Sequence, residues 1–287
     1  MNCYNGETYL VDAVKSVLNQ SYKNFEIIFW DNKSKDKSAN IFKSFQDKRL
    51  KYFLAKQHTS LYEARNLAIQ KSKGQFIAFL DTDDLWTKNK LSLQIKKFKD
   101  KNIGLVFSNY WNLNQLTGLK SLAYKKELPE GVIYQKLLKN YFLAIGTVIL
   151  RKSIFQKNKK NFDKDFNIIG DFDFFMRISK NTHFAAVQDP LLVYRIHKKS
   201  FSSNNYQMYI NEFKLWIKKR RKFNENLFFV KQKIMYMQTI LYILNENFFF
   251  ALKNILKINS KKKQIKLIFL LFTPNFIFKK LKRHFFS

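Results

Sequence analysis

The sequence is poor in acids, in cysteine and in long apolar runs. Of its 287 residues, 21 are Asp or Glu against 53 Lys or Arg, a formal net charge of +32. That excess suggests a polyanionic neighbour: nucleic acid, an anionic membrane surface or a phosphorylated substrate. A plain bias towards Lys, Asn, Phe and Ile would also raise the charge with no partner involved. The single cysteine, Cys3, excludes an intrachain disulfide and a cysteine-based metal centre, and suits a reducing compartment. No stretch reaches the roughly 18 apolar residues of a membrane span. The opening Met1-Asn2-Cys3-Tyr4-Asn5 has no apolar segment of the kind a signal peptide needs. Beyond about Asn205 there is no glycine, and the apolar spacing is helical to the end.

What is present centres on Phe76-Ile77-Ala78-Phe79-Leu80-Asp81-Thr82-Asp83-Asp84-Leu85-Trp86. The apolar run has the length of a strand buried on both faces, as in a parallel sheet. Ligands of open α/β sheets sit outside the carboxyl ends of the strands, so Asp81, Asp83 and Asp84 should stand at the lip of a ligand site. Three acids so close repel one another unless a cation lies among them, which points to an oxygen-bound Mg²⁺ or Mn²⁺. Alternatively, Asp83 or Asp84 caps a helix over Lys88–Phe98.

Strands alternate with helices around this stretch. The expected order is a turn at Tyr4-Asn5-Gly6, a helix from Thr8 to Gln20 and a strand Phe25–Trp30 ending at Asp31. A helix to Phe45, a strand Leu50–Leu54 and a helix Tyr62–Lys73 stopped by Gly74 follow. This rhythm means βαβ units and a mostly parallel sheet. The turn at Tyr4 should be fed by a strand, and the sequence starts where that strand would already have ended. Further on, strands are expected at Ile103–Phe107, Thr147–Leu150, His183–Val187 and Leu191–Ile196. Residues from Ser108 to Glu130 read as a connecting loop with weak strands, and a helix begins at Gly170-Asp171-Phe172-Asp173 with two acids in its first turn.

Taken together, Tyr4-Asn5-Gly6-Glu7, the strand ending in Asp31, Ala64-Arg65-Asn66, Asp81-Thr82-Asp83-Asp84 and Gly170-Asp171-Phe172-Asp173 resemble the family 2 glycosyltransferases of the GT-A fold. The likeness covers about Asn2 to Ser203. It implies an α/β, Rossmann-like, mostly parallel sheet flanked by helices, followed by a C-terminal helical extension. The domains would be 1–204 and 205–287. It also implies an inverting transfer of sugar from a nucleotide-diphosphate sugar, most simply a UDP-sugar, to a glycan or lipid-linked acceptor in cell-surface polysaccharide synthesis. By the same resemblance, Tyr4, Asn5 and Asp31 look like nucleobase contacts, Arg65 lies near the nucleotide, and Asp81 approaches the ribose. Asp83 ligates the metal, Asp171 is the general base, and Trp86 and the segment Arg195–Ser202 look like pocket walls.

The chemistry suits these residue types. A divalent metal neutralises a diphosphate leaving group, and a carboxylate takes the proton of an attacking hydroxyl. Structural readings stand beside these roles. Asp171 and Asp173 could cap their helix, Asp31 could be a turn residue, and Arg65 could pair with Glu63 or Asp36. Glu7 could be a first-turn acid. His197 is either a surface histidine or a metal or phosphate contact. The C-terminal apolar and aromatic segments flanked by Lys and Arg, including Ile265–Pro274 and Phe276–Arg283, read as interfacial helices, or as helices packed on the body with a basic tail. The expected location is the cytoplasmic, inner face of the cell membrane. A truncated relative that binds nucleotide without transfer, or folds without activity, is the alternative. Nucleic acid is not an expected partner, because the basic residues are spread along the chain and no nucleic-acid module is recognisable.

Overall fold

The computed structural model describes residues 1–157, 161–198, 205–220 and 227–273. Within the first of two compact units, Met1–Leu137 with Tyr141–Lys198, the order begins β1 (Asn2–Cys3), α1 (Glu7–Leu18), β2 (Ile27–Asp31), α2 (Ser38–Ser44), β3 (Leu50–Leu54) and α3 (Leu61–Lys71). These three strands form a parallel sheet in the order β1-β2-β3. The helical spacing of α1 is real: Leu10, Ala13, Val14 and Val17 recur at three- and four-residue intervals and are all buried. In α3, Ser60 accepts a hydrogen bond from the Glu63 N–H, the first half of a capping box. The helix ends at Lys71 with Ser72 as its cap, so Gly74 lies beyond it.

The turn at Tyr4 is fed by a strand after all, but by a very short one. Asn2 and Cys3 pair with Trp30 and Asp31 of β2. The Trp30 N–H donates to Met1 O and the Asn32 N–H to Cys3 O. Below this stub lies a cavity of about 600 Å³, lined by Met1, Asn2, Ile27, Ile28 and Phe76–Leu80 among others.

The second sheet is built from β4 (Phe76–Ala78), β5 (Leu85–Trp86), β6 (Ile103–Asn114), β7 (Lys120–Leu122), β8 (Ile149–Arg151) and β9 (His183–Ile196). Its order is β4-β8-β6-β9-β5, with β7 beside β6. Here β6 and β9 are parallel, whereas β4–β8, β8–β6, β9–β5 and β6–β7 are antiparallel. Two expectations change. The strand leading to Asp81 is not buried on both faces, since Ile77 is buried but Phe76 and Ala78 are only half-buried, and it pairs antiparallel with β8. The strand expected to stop at Phe107 instead continues, as β6, to Asn114 along a single β9, and β7 follows inside the segment expected as a loop with weak strands.

Between the strands lie α4 (Lys90–Lys97), α5 (Tyr134–Lys139), α6 (Ser153–Lys157) and α7 (Gly170–Ile178). Asn89 precedes α4 as its N-cap. The acidic triplet therefore does not cap that helix, because β5 intervenes. Trp86 is buried, with its indole N–H donating to Gly146 O at 2.9 Å, and it is among the residues lining the cavity below β1.

The second unit, Leu138–Asn140 with the residues after Lys198, contains α8 (Tyr206–Arg220), α9 (Phe228–Leu244), α10 (Phe248–Ile255) and α11 (Lys261–Leu271). A separate apolar core joins Tyr236, Ile240 and Ile243 of α9 to Ala251 and Ile255 of α10 and Leu267 and Leu270 of α11. Among the described residues no helix is long and apolar enough to cross a membrane. Segments 199–204 and 274–287, which include Ser200–Ser202 and the expected helix at Phe276–Arg283, lie outside the described residues.

Candidate active site

The turn after β1 is locked to the loop after β2. Asn5 sits in the left-handed region at φ 54, a conformation that asparagine tolerates. Its Oδ1 accepts from the Lys35 N–H at 2.8 Å, and its own N–H donates to Ser34 Oγ at 3.1 Å. Glu7 accepts from the Lys37 N–H at 2.9 Å, which gives it a structural task. Gly6 has no room for a side chain: a Cβ there would lie 2.7 Å from Thr82 Oγ1. That close approach brings the first turn against the acidic segment.

Asp31 is buried at the end of β2, where Oδ1 accepts from the Ser34 N–H at 2.8 Å and Oδ2 from the Tyr52 hydroxyl at 2.7 Å. Burial first, then the Asp31 carboxylate, raises the Tyr52 phenol well above its ordinary range. Tyr4 is half exposed and its ring lies 4.2 Å from that of His58. Tyr4, Asn5 and Asp31 thus share one corner, joined through Ser34.

The acidic triplet resolves into three different environments. Asp81 pairs with Arg65, Nη2 to Oδ1, at 2.6 Å; the guanidinium is buried and the carboxylate about a third exposed, at 34%. Arg65 therefore pairs with neither Glu63 nor Asp36. Asp83, 36% exposed, meets His197 Nε2 at 3.0 Å. Asp84 is buried and accepts the Arg195 N–H at 2.9 Å. Burial pushes its carboxyl well above the ordinary range, and the neighbouring Asp83 and Asp81 add to this. Each of the three acids thus has a partner of its own, Arg65, His197 and the Arg195 N–H, which does not require a cation at their centre. Among the described residues no group of three His, Cys, Asp or Glu side chains converges as a metal cage. Asp83 and His197 do converge as an oxygen and a nitrogen donor, a pair suited to Mn²⁺ or Mg²⁺ if a ligand's own oxygens complete the coordination.

Asp171 opens α7. Its Oδ1 lies 3.0 Å from the Tyr62 hydroxyl, which also lies 2.9 Å from Ile168 O, and its Oδ2 lies 3.5 Å from the Tyr141 hydroxyl. Burial raises the Asp171 carboxyl above the usual range, opposed by the charge of Arg65 and by hydrogen bonds from the Phe172 N–H and Tyr62. Arg65 lies over the Tyr62 ring, 5.1 Å from its centre. A connected series therefore runs Asp81–Arg65–Tyr62–Asp171. Asp173 takes no part in it. It is buried and pairs with Arg177 at 2.8 Å, one helical turn on.

Tyr62 and Tyr141 escaped the sequence reading. Tyr62 carries one recoverable signal: it stands three residues before Arg65, on the same helical face. A Cβ on Gly170 would lie 2.4 Å from the Tyr62 ring, so the glycine before Asp171 is what lets the phenol approach. Arg195, by contrast, is tied away from this series, to Asp12 at 2.9 Å and over the Tyr9 ring.

Comparison with known proteins gives this arrangement a context. The chain is 32% identical over 209 residues to the Escherichia coli UDP-Glc:alpha-D-GlcNAc-diphosphoundecaprenol beta-1,3-glucosyltransferase WfgD, covering 72% of this chain and 79% of that protein. An uncharacterised glycosyltransferase of Haemophilus influenzae is 30% identical over 227 residues, covering 77% and 87%. Against the uncharacterised glycosyltransferase RC0461 of Rickettsia conorii the identity is 34%, and the match spans 26% of that relative's length. In fold, the chain resembles Staphylococcus aureus TarS 1-349 in complex with UDP, with a TM-score of 0.60 and 17% identity, covering 84% of this chain and 70% of that one. It also resembles the mannosyltransferase PcManGT from Pyrobaculum calidifontis in complex with GDP-Man and Mn²⁺, with a TM-score of 0.61 and 12% identity, covering 99% and 83%. Residues 1–159 match the profile described as glycosyl transferase family 2, so the chain belongs to that family and is a glycosyltransferase of the GT-A fold.

Proposed function

We propose that the protein is an inverting, metal-dependent glycosyltransferase that uses a UDP-sugar and a lipid-linked acceptor. The observation that carries this reading is the connected series from Asp81 through Arg65 and Tyr62 to Asp171, beside the Asp83–His197 pair. Asp171 is the general base: burial raises its carboxyl above the ordinary range, which makes it a better proton acceptor than an exposed aspartate. Tyr62 holds that carboxylate in place. Arg65 orients Asp81, which would accept from the ribose, while Tyr4, Asn5 and Asp31 would meet the nucleobase. A divalent cation held by Asp83 and His197 would supply charge neutralisation for the diphosphate leaving group. A base on one side and the diphosphate on the other favour in-line displacement, hence inversion. The names of WfgD and of the TarS complex support a UDP-sugar, and WfgD supports an undecaprenol-linked acceptor. The Mn²⁺ in PcManGT supports the cation. Such an acceptor places the work at the inner face of the membrane, with the C-terminal unit in peripheral contact.

The test is a thermal melt with UDP, GDP and CMP, each with and without Mn²⁺. A ligand bound only by the native state stabilises it by about 2.7 kcal/mol at a hundredfold excess over Kd. The expected rise needs UDP and Mn²⁺ together and is reduced in Asp83→Ala and in His197→Ala. Asp171→Asn should keep the rise and lose sugar transfer. Loss of both in Asp171→Asn would remove it as the base, and an Mn²⁺-independent rise would remove the metal site.

A further inference from the structure

The second unit carries an apolar surface that its own core does not use. In α11, Leu267 and Leu270 are buried against α9 and α10. Ile265, Ile268, Phe269 and Phe272 stand on the other side, 68, 43, 71 and 83% exposed. Their spacing of three, four and seven residues places them on one stripe, about 100° wide at helical periodicity. Phe249 of α10 and Leu256, which caps its C-terminal end, are likewise exposed, at 71 and 81%. Apolar exposure on this scale marks an interaction surface.

Charge decides which partner fits. From Asn247 to Thr273 there are six lysines and no acid. Two copies meeting through this face would set like charges against each other, whereas an anionic lipid surface complements it. The crowding is already felt within the helix, where burial and then Lys263 and Lys262 lower the pKa of Lys266. Length excludes spanning: the 11 residues of α11 extend about 16 Å against a hydrocarbon core of about 30 Å.

We propose that the stripe Ile265, Ile268, Phe269 and Phe272, with Phe249 and Leu256, is the seat of the membrane contact. It lies in the interfacial plane of an anionic bilayer, with the lysines at the headgroups. This rests on the peripheral contact proposed above and assigns it to the exposed apolar side chains of α11 and the α10 end.

The test is co-sedimentation of the full chain with phosphatidylglycerol–phosphatidylcholine vesicles, with pure phosphatidylcholine as the control. Binding should require the anionic lipid and weaken with salt. The double variant Ile265→Ser, Phe269→Ser should bind at least about tenfold less, because each exposed side chain loses its transfer into lipid. Leu119→Ser, equally exposed but on the first unit, should bind as the parent does. Both variants change exposed positions and should melt as the parent does. Phe269→Trp should show an emission blue shift on anionic vesicles. If the parent binds and the double variant binds equally, this assignment fails while peripheral contact stands. If the parent ignores anionic vesicles, both fail. A parent that sediments as a dimer, made monomeric by the double variant with vesicle binding unchanged, would make the stripe an interface between copies.

Discussion

Tyr62→Phe isolates one hydrogen bond at the candidate base. The ring stays, so its packing against Gly170 and beneath Arg65 is preserved. The phenol, 3.0 Å from Asp171 Oδ1 and 2.9 Å from Ile168 O, is lost. A hydrogen bond to a charged group is worth about 1.5–3 kcal/mol. One proton is shared between two acceptors here, so the lower end applies, near one pKa unit or about 1.4 kcal/mol. The sign follows from the ionised form: the phenol favours the carboxylate, so its removal raises the Asp171 pKa beyond what burial has already done. A base must be deprotonated to act. The acid limb of kcat/KM, followed by transfer of labelled sugar, should therefore move up by about one pH unit, with a plateau within about threefold of the parent. The nucleotide-dependent melting rise should remain. Leaving Ile168 O without this donor should cost about 1–2 kcal/mol of stability. An acid limb that stays in place, or a uniform loss at every pH, would refute the role given to Tyr62 and weaken that given to Asp171.

Gly170→Ala should force its Cβ into the Tyr62 ring and lower stability by about 1–3 kcal/mol, read as a fall in Tm, with transfer lost alongside. Asp84→Asn should flatten a pH dependence. The folded pKa of Asp84 is raised, so its contribution is fully present below its unfolded value near 4 and is lost as pH rises through the folded value. Melts across that range should slope downward in the parent and less so in the variant. Arg65→Met should remove the ion-pair partner of Asp81 and weaken UDP binding more than it lowers Tm. Isothermal titration beside a melt would separate the two effects.

Local chemistry was legible where the controlling contacts are close in sequence. The buried spacing of Leu10, Val14 and Val17, the strand ending at Asp31 and the acids opening α7 all read directly from side-chain pattern. The family resemblance, carried by the order of those motifs, was legible too. The pairing of β6 with β9 was not, because it joins segments some 80 residues apart through register shifts near Asn109. Polar Ser108 and Asn109 look like loop residues until the Asn109 amide finds Tyr124 O, which holds it inside the sheet. Nor could the sequence separate Asp81, Asp83 and Asp84. Their difference comes from Arg65, Arg195 and His197, which reach them from other elements. The short strand at Asn2–Cys3 falls below the length at which alternation can be seen.

That short strand bears on how the protein is handled at the bench. The Met1 amine donates to Ile28 O at 2.8 Å, and burial lowers its pKa to about 6. Residues fused ahead of Met1 would start at the cavity beside β2, next to the Asn2 and Cys3 pairing that leads into the turn carrying Tyr4 and Asn5, so activity compared between preparations should be matched at this position.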